Sequence, residues 1–221
     1  FVLVVPALFI QFFHAVEDYY YRFDIASALR FLRVLIFFLS LVAPSAYVAA
    51  TTFHQEMIPS ALVLSLAAQR EAVPFPAFIE VLVMEIAFEI LREAGVRLPR
   101  QIGQAISIVG ALVIGQAAVE AGFVSTSTVI VVSITAIASF ATPTVAIATS
   151  ARIIRFVFIV ISSMFGFYGL VIGLLFMTLH LCSLRSFGVP YMSPLAPMIP
   201  SNAGDTILRK PIWAWKERPR L

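Results

Sequence analysis

Four glutamates and an arginine recur at near-helical spacing in an otherwise apolar stretch: Glu80, Glu85, Glu89, Arg92 and Glu93. At ~100° per residue, the last four fall in a sector about 100° wide, and Glu80 lies apart from them. Carboxylates so placed can do two kinds of work. They can face water along an interfacial or re-entrant amphipathic helix, with Glu89 and Arg92 paired at i,i+3. Alternatively, Glu85, Glu89 and Arg92 form a subunit contact or border an aqueous ion pathway, because carboxylates inside a membrane are costly and tend to be functional.

A second constellation is weakly polar. Gln104, Ser107, Ala111, Gly115 and Val119 follow a 3–4 spacing. Small residues on one face let helix backbones approach closely, and the same stripe repeated around a symmetric ring would line a narrow pore. Gln104, Ser107, Ala111 and Gly115 are therefore candidate pore-lining residues, with close packing as the alternative. Gln116 and Glu120 fall on another face and suit interhelical hydrogen bonds. Eleven hydroxyls between Ser125 and Ser150 are expected to bond back to their own helix carbonyls. Gly166, Gly169 and Gly173 suit packing contacts or a kink.

Other chemistries find little support. His14, His54 and His180 are far apart, and only His14 has carboxylates at helical spacing, Glu17 and Asp18. Local hydrogen bonding or a weak ion pair at the interface is the expectation there, with no metal site and no cofactor. No GxSxG, HExxH, P-loop or GxGxxG pattern occurs, so no enzyme is expected. A single cysteine, Cys182, excludes an internal disulfide framework. The net charge of +3 is small and scattered, which argues against nucleic acid.

The elements that must position these residues are membrane helices. Hydrophobic residues make up 61% and charged residues 12% of 221 positions, against ~45–50% and ~25% in soluble domains. Lipid must take the excess. The expected fold is an all-α integral membrane protein with about four transmembrane helices plus interfacial or re-entrant amphipathic helices. Residues 1–30 would comprise the end of a missing soluble domain, with residues 1–5 as its last strand, and an interfacial helix rich in Tyr. The opening FVLVV, in mid-element and without Met, suggests the C-terminal part of a longer protein. Residues 31–184 would be the membrane domain, with spans at about 31–53, 103–119, 125–142 and 156–184. Ser125 and Thr126 would cap the third, and Pro143 would stop it. Pro74 and Pro76 open an amphipathic helix at 77–94, before Gly95. Residues 185–221 would be a basic cytoplasmic tail. There Arg209, Lys210, Lys216, Arg218 and Arg220 would meet anionic lipid, with Trp213 and Trp215 at headgroup depth. Four spans put both basic ends on one face; Arg152 and Arg155 are the exception.

Long stretches go beyond composition. EDYYYRF at 17–23, YVAATTFHQEMIP at 47–59, residues 70–125 from REAVPFPAFIEVL to AVEAGFVS, and HLCSLRSFGVPYMSPLAP at 180–197 closely resemble the GerA family of spore germination proteins. The resemblance is to the A subunit type, which includes SpoVAF-like paralogues. It implies a germinant receptor subunit in the inner membrane of bacterial endospores. Such a subunit would oligomerise into a nutrient-gated conduit for monovalent ions and work with B and C subunits. The alternatives are a SpoVAF-like accessory channel subunit without direct nutrient sensing, a secondary transporter, or a structural scaffold.

Overall fold

Arg33 is the last charge before an uncharged run that reaches Phe53, and with no polar interruption stronger than Ser or Thr the chain forms a single long helix. In the computed structural model, which describes residues 5–97, 110, 113–198, 204–211 and 213, this is α1, Phe23–Thr52. It begins eight residues before the expected span, with Asp24 in its first turn, where a carboxylate suits the helix dipole. Pro44 sits inside it. Short 3-10 turns precede it at Phe9–Phe13 and Val16–Tyr19.

The remaining order is α2 (Ser60–Arg70), α3 (Ala77–Arg97), a helical stretch over 113–120, α4 (Thr126–Phe140) and α5 (Val145–Ser183). A two-residue hairpin closes the series. Its strands, Arg185–Ser186 and Val189–Pro190, pair antiparallel, and the turn is made by Phe187 and Gly188, both at positive φ (52° and 84°). Two positive φ values in sequence match the twist of a tight hairpin.

The helical content agrees with the all-α expectation. Among the described residues, α1 and α5 are long and apolar enough to cross a membrane, and α4 is a shorter apolar helix. At 15 residues, α4 falls short of the ~20 that a perpendicular crossing needs. Most of the expected second span, 103–119, lies outside the described residues.

The run expected at 156–184 is not one straight rod. Gly166 has φ 61° and ψ −143° inside α5, a conformation that side-chain-bearing residues rarely adopt. Beyond it the chain packs tightly on what precedes. A Cβ on Gly169 would lie 2.7 Å from the Ile161 carbonyl oxygen and 2.9 Å from Phe165 Cβ. A Cβ on Gly166 would meet His54 Cε1 at 2.8 Å. Two of the glycines thus make both the kink and the close contact.

The residues group into two compact units. One comprises Phe1–Leu39, Ala138–Ala151 and Ile172–Leu221; the other Ser40–Ile137 and Arg152–Val171. The second unit has an aliphatic core of Val48, Val81, Met84, Val124, Val132 and Ile159. The first buries Phe9, Phe13 and Phe37, whose rings meet edge to face at 5.0–6.4 Å, an arrangement that adds to their area burial.

Candidate functional site: ion pairs buried between helices

Pro74 and Pro76 stop the chain after α2 and start α3, and the carboxylates of α3 then descend from a buried end to an exposed one. Glu80 is fully buried, Glu85 buried, Glu89 partly exposed and Glu93 exposed. Glu85 therefore does not face water, as one of the two readings required.

Glu80, set apart from the stripe by its angle, is a junction for three helices. Its Oε2 accepts the Ser125 N–H at 2.8 Å and the Thr128 hydroxyl at 3.1 Å. Its Oε1 accepts Arg70 Nε–H at 3.3 Å. The charge thus caps the start of α4, where unpaired N–H groups and the helix dipole favour an anion. Ser125, expected as a cap, also contributes: its Oγ accepts the Thr128 N–H at 3.4 Å.

The stripe proper faces α5. Glu85 accepts from Arg155 Nη1 at 2.9 and 3.2 Å, and Glu89 accepts from Arg152 Nη1. Four residues forward on α3 correspond to three residues back on α5, so the helices run antiparallel with two ion-pair rungs. Arg152 and Arg155, exceptions to the charge rule for loops, belong to these rungs. Glu89 bonds across to α5, and Arg92, its i,i+3 neighbour, places Nη2 3.5 Å from the Ala136 carbonyl of α4. Arg155 is buried, and its Nε and Nη2 have no hydrogen-bond partner among the described residues. Removing one member of such a pair leaves an uncompensated buried charge.

The other unit holds its own charge cluster, invisible in the sequence because its members lie up to 191 positions apart. Asp18, fully buried, accepts from Arg30 Nε at 3.0 Å and from Arg33 Nη1 and Nη2 at 3.1 Å each. Arg30 Nη1 reaches Asp205 at 2.6 Å. Burial would push the Asp18 carboxyl up, but the hydrogen bonds from Arg33, the Ala15 N–H and Arg30 outweigh it and hold the group below its ordinary value. His14, expected to act with Glu17 and Asp18, instead places Nε2 3.1 Å from the Thr206 carbonyl. Burial, reinforced by the nearby Arg30 charge, lowers its pKa.

The tail residues part company. Arg209 is buried, not at a surface: its Nη1 donates to the Asp18 and Tyr21 carbonyls, and its guanidinium lies 5.1 Å from the Tyr19 ring centre. Lys210 is exposed. Trp213 is exposed and meets Phe23 edge to face at 5.6 Å. Trp215, Lys216, Arg218 and Arg220 lie outside the described residues, as do Gln104, Ser107 and Ala111 of the weakly polar stripe. Gly115 is buried, and a Cβ there would meet Val129 at 3.2 Å. Its smallness serves close packing on α4. Among the described residues, no cluster of three or more His, Cys, Asp or Glu could hold a metal ion.

Comparison with known proteins places this arrangement. The family described as Bacillus/Clostridium GerA spore germination protein matches residues 1–221. Spore germination protein KA of Bacillus subtilis (strain 168) is 68% identical over 219 residues, which cover 99% of this chain and 40% of that protein. The uncharacterized membrane protein YfkQ of the same organism is 49% identical over 219 residues (99% of this chain, 43% of that protein). Spore germination protein A1, also from B. subtilis, is 43% identical over 220 residues (100% and 45%). The chain thus spans less than half the length of these relatives. No solved structure matches it. With a match running over every residue, the chain belongs to the GerA family of spore germination proteins.

Proposed function

We propose that this chain is the membrane portion of a germinant receptor A-type subunit in the inner membrane of the endospore. It assembles into homo-oligomers, works with B and C subunits, and forms a nutrient-gated conduit for monovalent ions. The observation that carries the reading is the family match along the whole chain, with 68% identity to a protein named for spore germination. Two long apolar helices support membrane insertion, and the buried pairs between α3 and α5 supply a charged, polar interior that a scaffold for lipid contact alone would not require. Four spans place Arg22 and the chain after Arg185 on the cytoplasmic face, where Lys210, Lys216, Arg218 and Arg220 meet anionic lipid. In this reading Gln104, Ser107 and Ala111 face the central path, and Gly115 packs its helix against α4.

The test is nutrient-triggered release of monovalent ions from spores that carry the full-length protein as their sole subunit of this type. Ala111→Leu should narrow the path and slow release. Ala111→Ser should ease wetting and leak without nutrient, since a constriction of small apolar side chains gates by dewetting. Assembled mutants that conduct like the parent would remove this helix from the path. Spores that release ions normally without the protein would overturn the receptor reading.

A further inference from the structure

Several long helices leave only apolar side chains exposed. Between Arg33 and Val48, α1 exposes only Leu and Phe. Beyond Thr126, α4 exposes only Ile and Phe, and α5 from Ile153 to Phe165 exposes only Ile, Val, Met and Phe. Such faces suit acyl chains, among which a polar side chain is costly.

The helical stretch over 113–120 departs from this pattern. One of its faces is packed: a Cβ on buried Gly115 would meet Val129 of α4 at 3.2 Å, and Ala118 and Val119 lie against the aliphatic core. The opposite face carries Val113, Gln116, Ala117 and Glu120, all exposed. At ~100° per residue these four fall in a sector about 100° wide. Gln116 stands one turn before Glu120, and its Nε2–H donates to Glu120 Oε1 at 2.9 Å. Glu120 is also the first charge after Arg100, following 19 uncharged residues. It therefore sits where a span over 103–119 would meet water. An amide and a carboxylate on an open helix face do not suit lipid. They require an aqueous or polar neighbour.

We propose that Glu120 is the charge selector at one mouth of the conduit. A ring of its carboxylates, one from each copy, admits cations and turns anions away. Gln116 is the positioning residue that holds each carboxylate at the rim. This rests on the receptor reading above, in which the helix borders the path, and adds to it the sign of the ion. Rings of acidic side chains select cations by charge. Because each carboxylate is exposed, salt weakens its reach, from ~10 Å at 0.1 M to ~3 Å at 1 M. Selection should therefore be strongest in dilute salt.

The test is made on the full-length protein assembled with its B and C subunits in a planar bilayer. A mixture of L-amino acids and glucose is the trigger, and a potassium chloride gradient reads the permeability ratio. The parent should pass potassium in preference to chloride. Glu120→Cys, in a background with no other thiol, should lose that preference several-fold. An anionic methanethiosulfonate should then restore it, and a cationic one should turn it toward chloride. Both reagents act on the same assembled protein, so a folding defect cannot produce opposite signs. Gln116→Ala should lower the ratio less than Glu120→Cys, and both effects should fade at 1 M salt. A ratio that neither reagent moves, or a thiol that neither modifies from either side, overturns the selector and leaves the receptor reading standing. So does a parent that favours chloride. A parent with no triggered current overturns the receptor reading, and the selector with it.

Discussion

Glu80 offers the sharpest measurement of what holds α2, α3 and α4 together. Its carboxylate is fully buried and accepts three hydrogen bonds, at 2.8, 3.1 and 3.3 Å. Bonds to a charged group each contribute roughly 1.5–3 kcal/mol. Glu80→Ala removes the acceptor and leaves the Ser125 N–H and Thr128 hydroxyl buried without it, a cost of about 3–5 kcal/mol. Glu80→Gln keeps one acceptor but sets an amide N–H against a donor, so about 2–3 kcal/mol is expected. Arg70 is different. Its side chain is 26% exposed and its bond is the longest of the three, so Arg70→Gln should cost only ~1 kcal/mol. Thermal unfolding of the full-length protein in detergent, followed by helical circular dichroism, reads these as midpoint shifts of roughly 2–4 °C per kcal/mol. The order Ala, Gln, then Arg70→Gln is the result to look for. If Arg70→Gln costs as much as Glu80→Ala, the ion pair and not the cap of α4 holds the junction. If Glu80→Gln melts like the parent, the charge has no part in it.

Three further outcomes follow from the geometry. Gly166→Ala puts a Cβ 2.8 Å from His54 and strains a φ of 61°, so it should destabilise by ~1–3 kcal/mol, and pairing it with His54→Ala should recover the clash but not the strain. The Asp18 carboxyl lies below its ordinary 3.8 in the folded state; a depressed folded pKa contributes stability above the unfolded value and loses it as pH falls through the folded one. Acid unfolding of the protein should therefore steepen below about pH 4, and Asp18→Asn, less stable at neutral pH, should flatten that limb; an unchanged pH profile would remove Asp18 from the account. Cysteines at Tyr20, Met57 and Phe187, all exposed, should label from one membrane face for Tyr20 and Phe187 and from the other for Met57, and labelling of Tyr20 and Met57 from the same side would mean that α1 does not cross.

What could be seen in the sequence was local. The start of α3 at Ala77 was written in Pro74 and Pro76, and the run of hydroxyls after Ser125 in the cap of α4. The end of α3 was not: Gly95 suggested a stop, but the helix continues to Arg97, a single glycine costing a helix only ~1 kcal/mol. Charge partners from distant elements were not legible either. Glu89 and Arg92 satisfy the i,i+3 rule, worth ~0.2–0.5 kcal/mol, and that spacing gave no sign of the second base, Arg152 of α5, that Glu89 also meets. Asp18 carried no sign of burial beside its exposed neighbours Tyr19, Tyr20 and Tyr21, because its bases are on α1 and its lid, Arg209, is nearly two hundred residues on.

One pattern was nevertheless present in the sequence, and the structure gives it meaning. Both long apolar helices carry a pair of arginines at i,i+3 near the start, Arg30 and Arg33 in α1, Arg152 and Arg155 in α5, and neither has another Arg or Lys before its end. In each case the pair is answered by carboxylates from elsewhere in the chain: Asp18 and Asp205 for α1, Glu85 and Glu89 for α5. An arginine left unanswered there would be drawn toward water and carry the apolar run with it. Answered inside the protein, the pair is held at a fixed level, and the uncharged remainder of the helix takes its depth from that anchor.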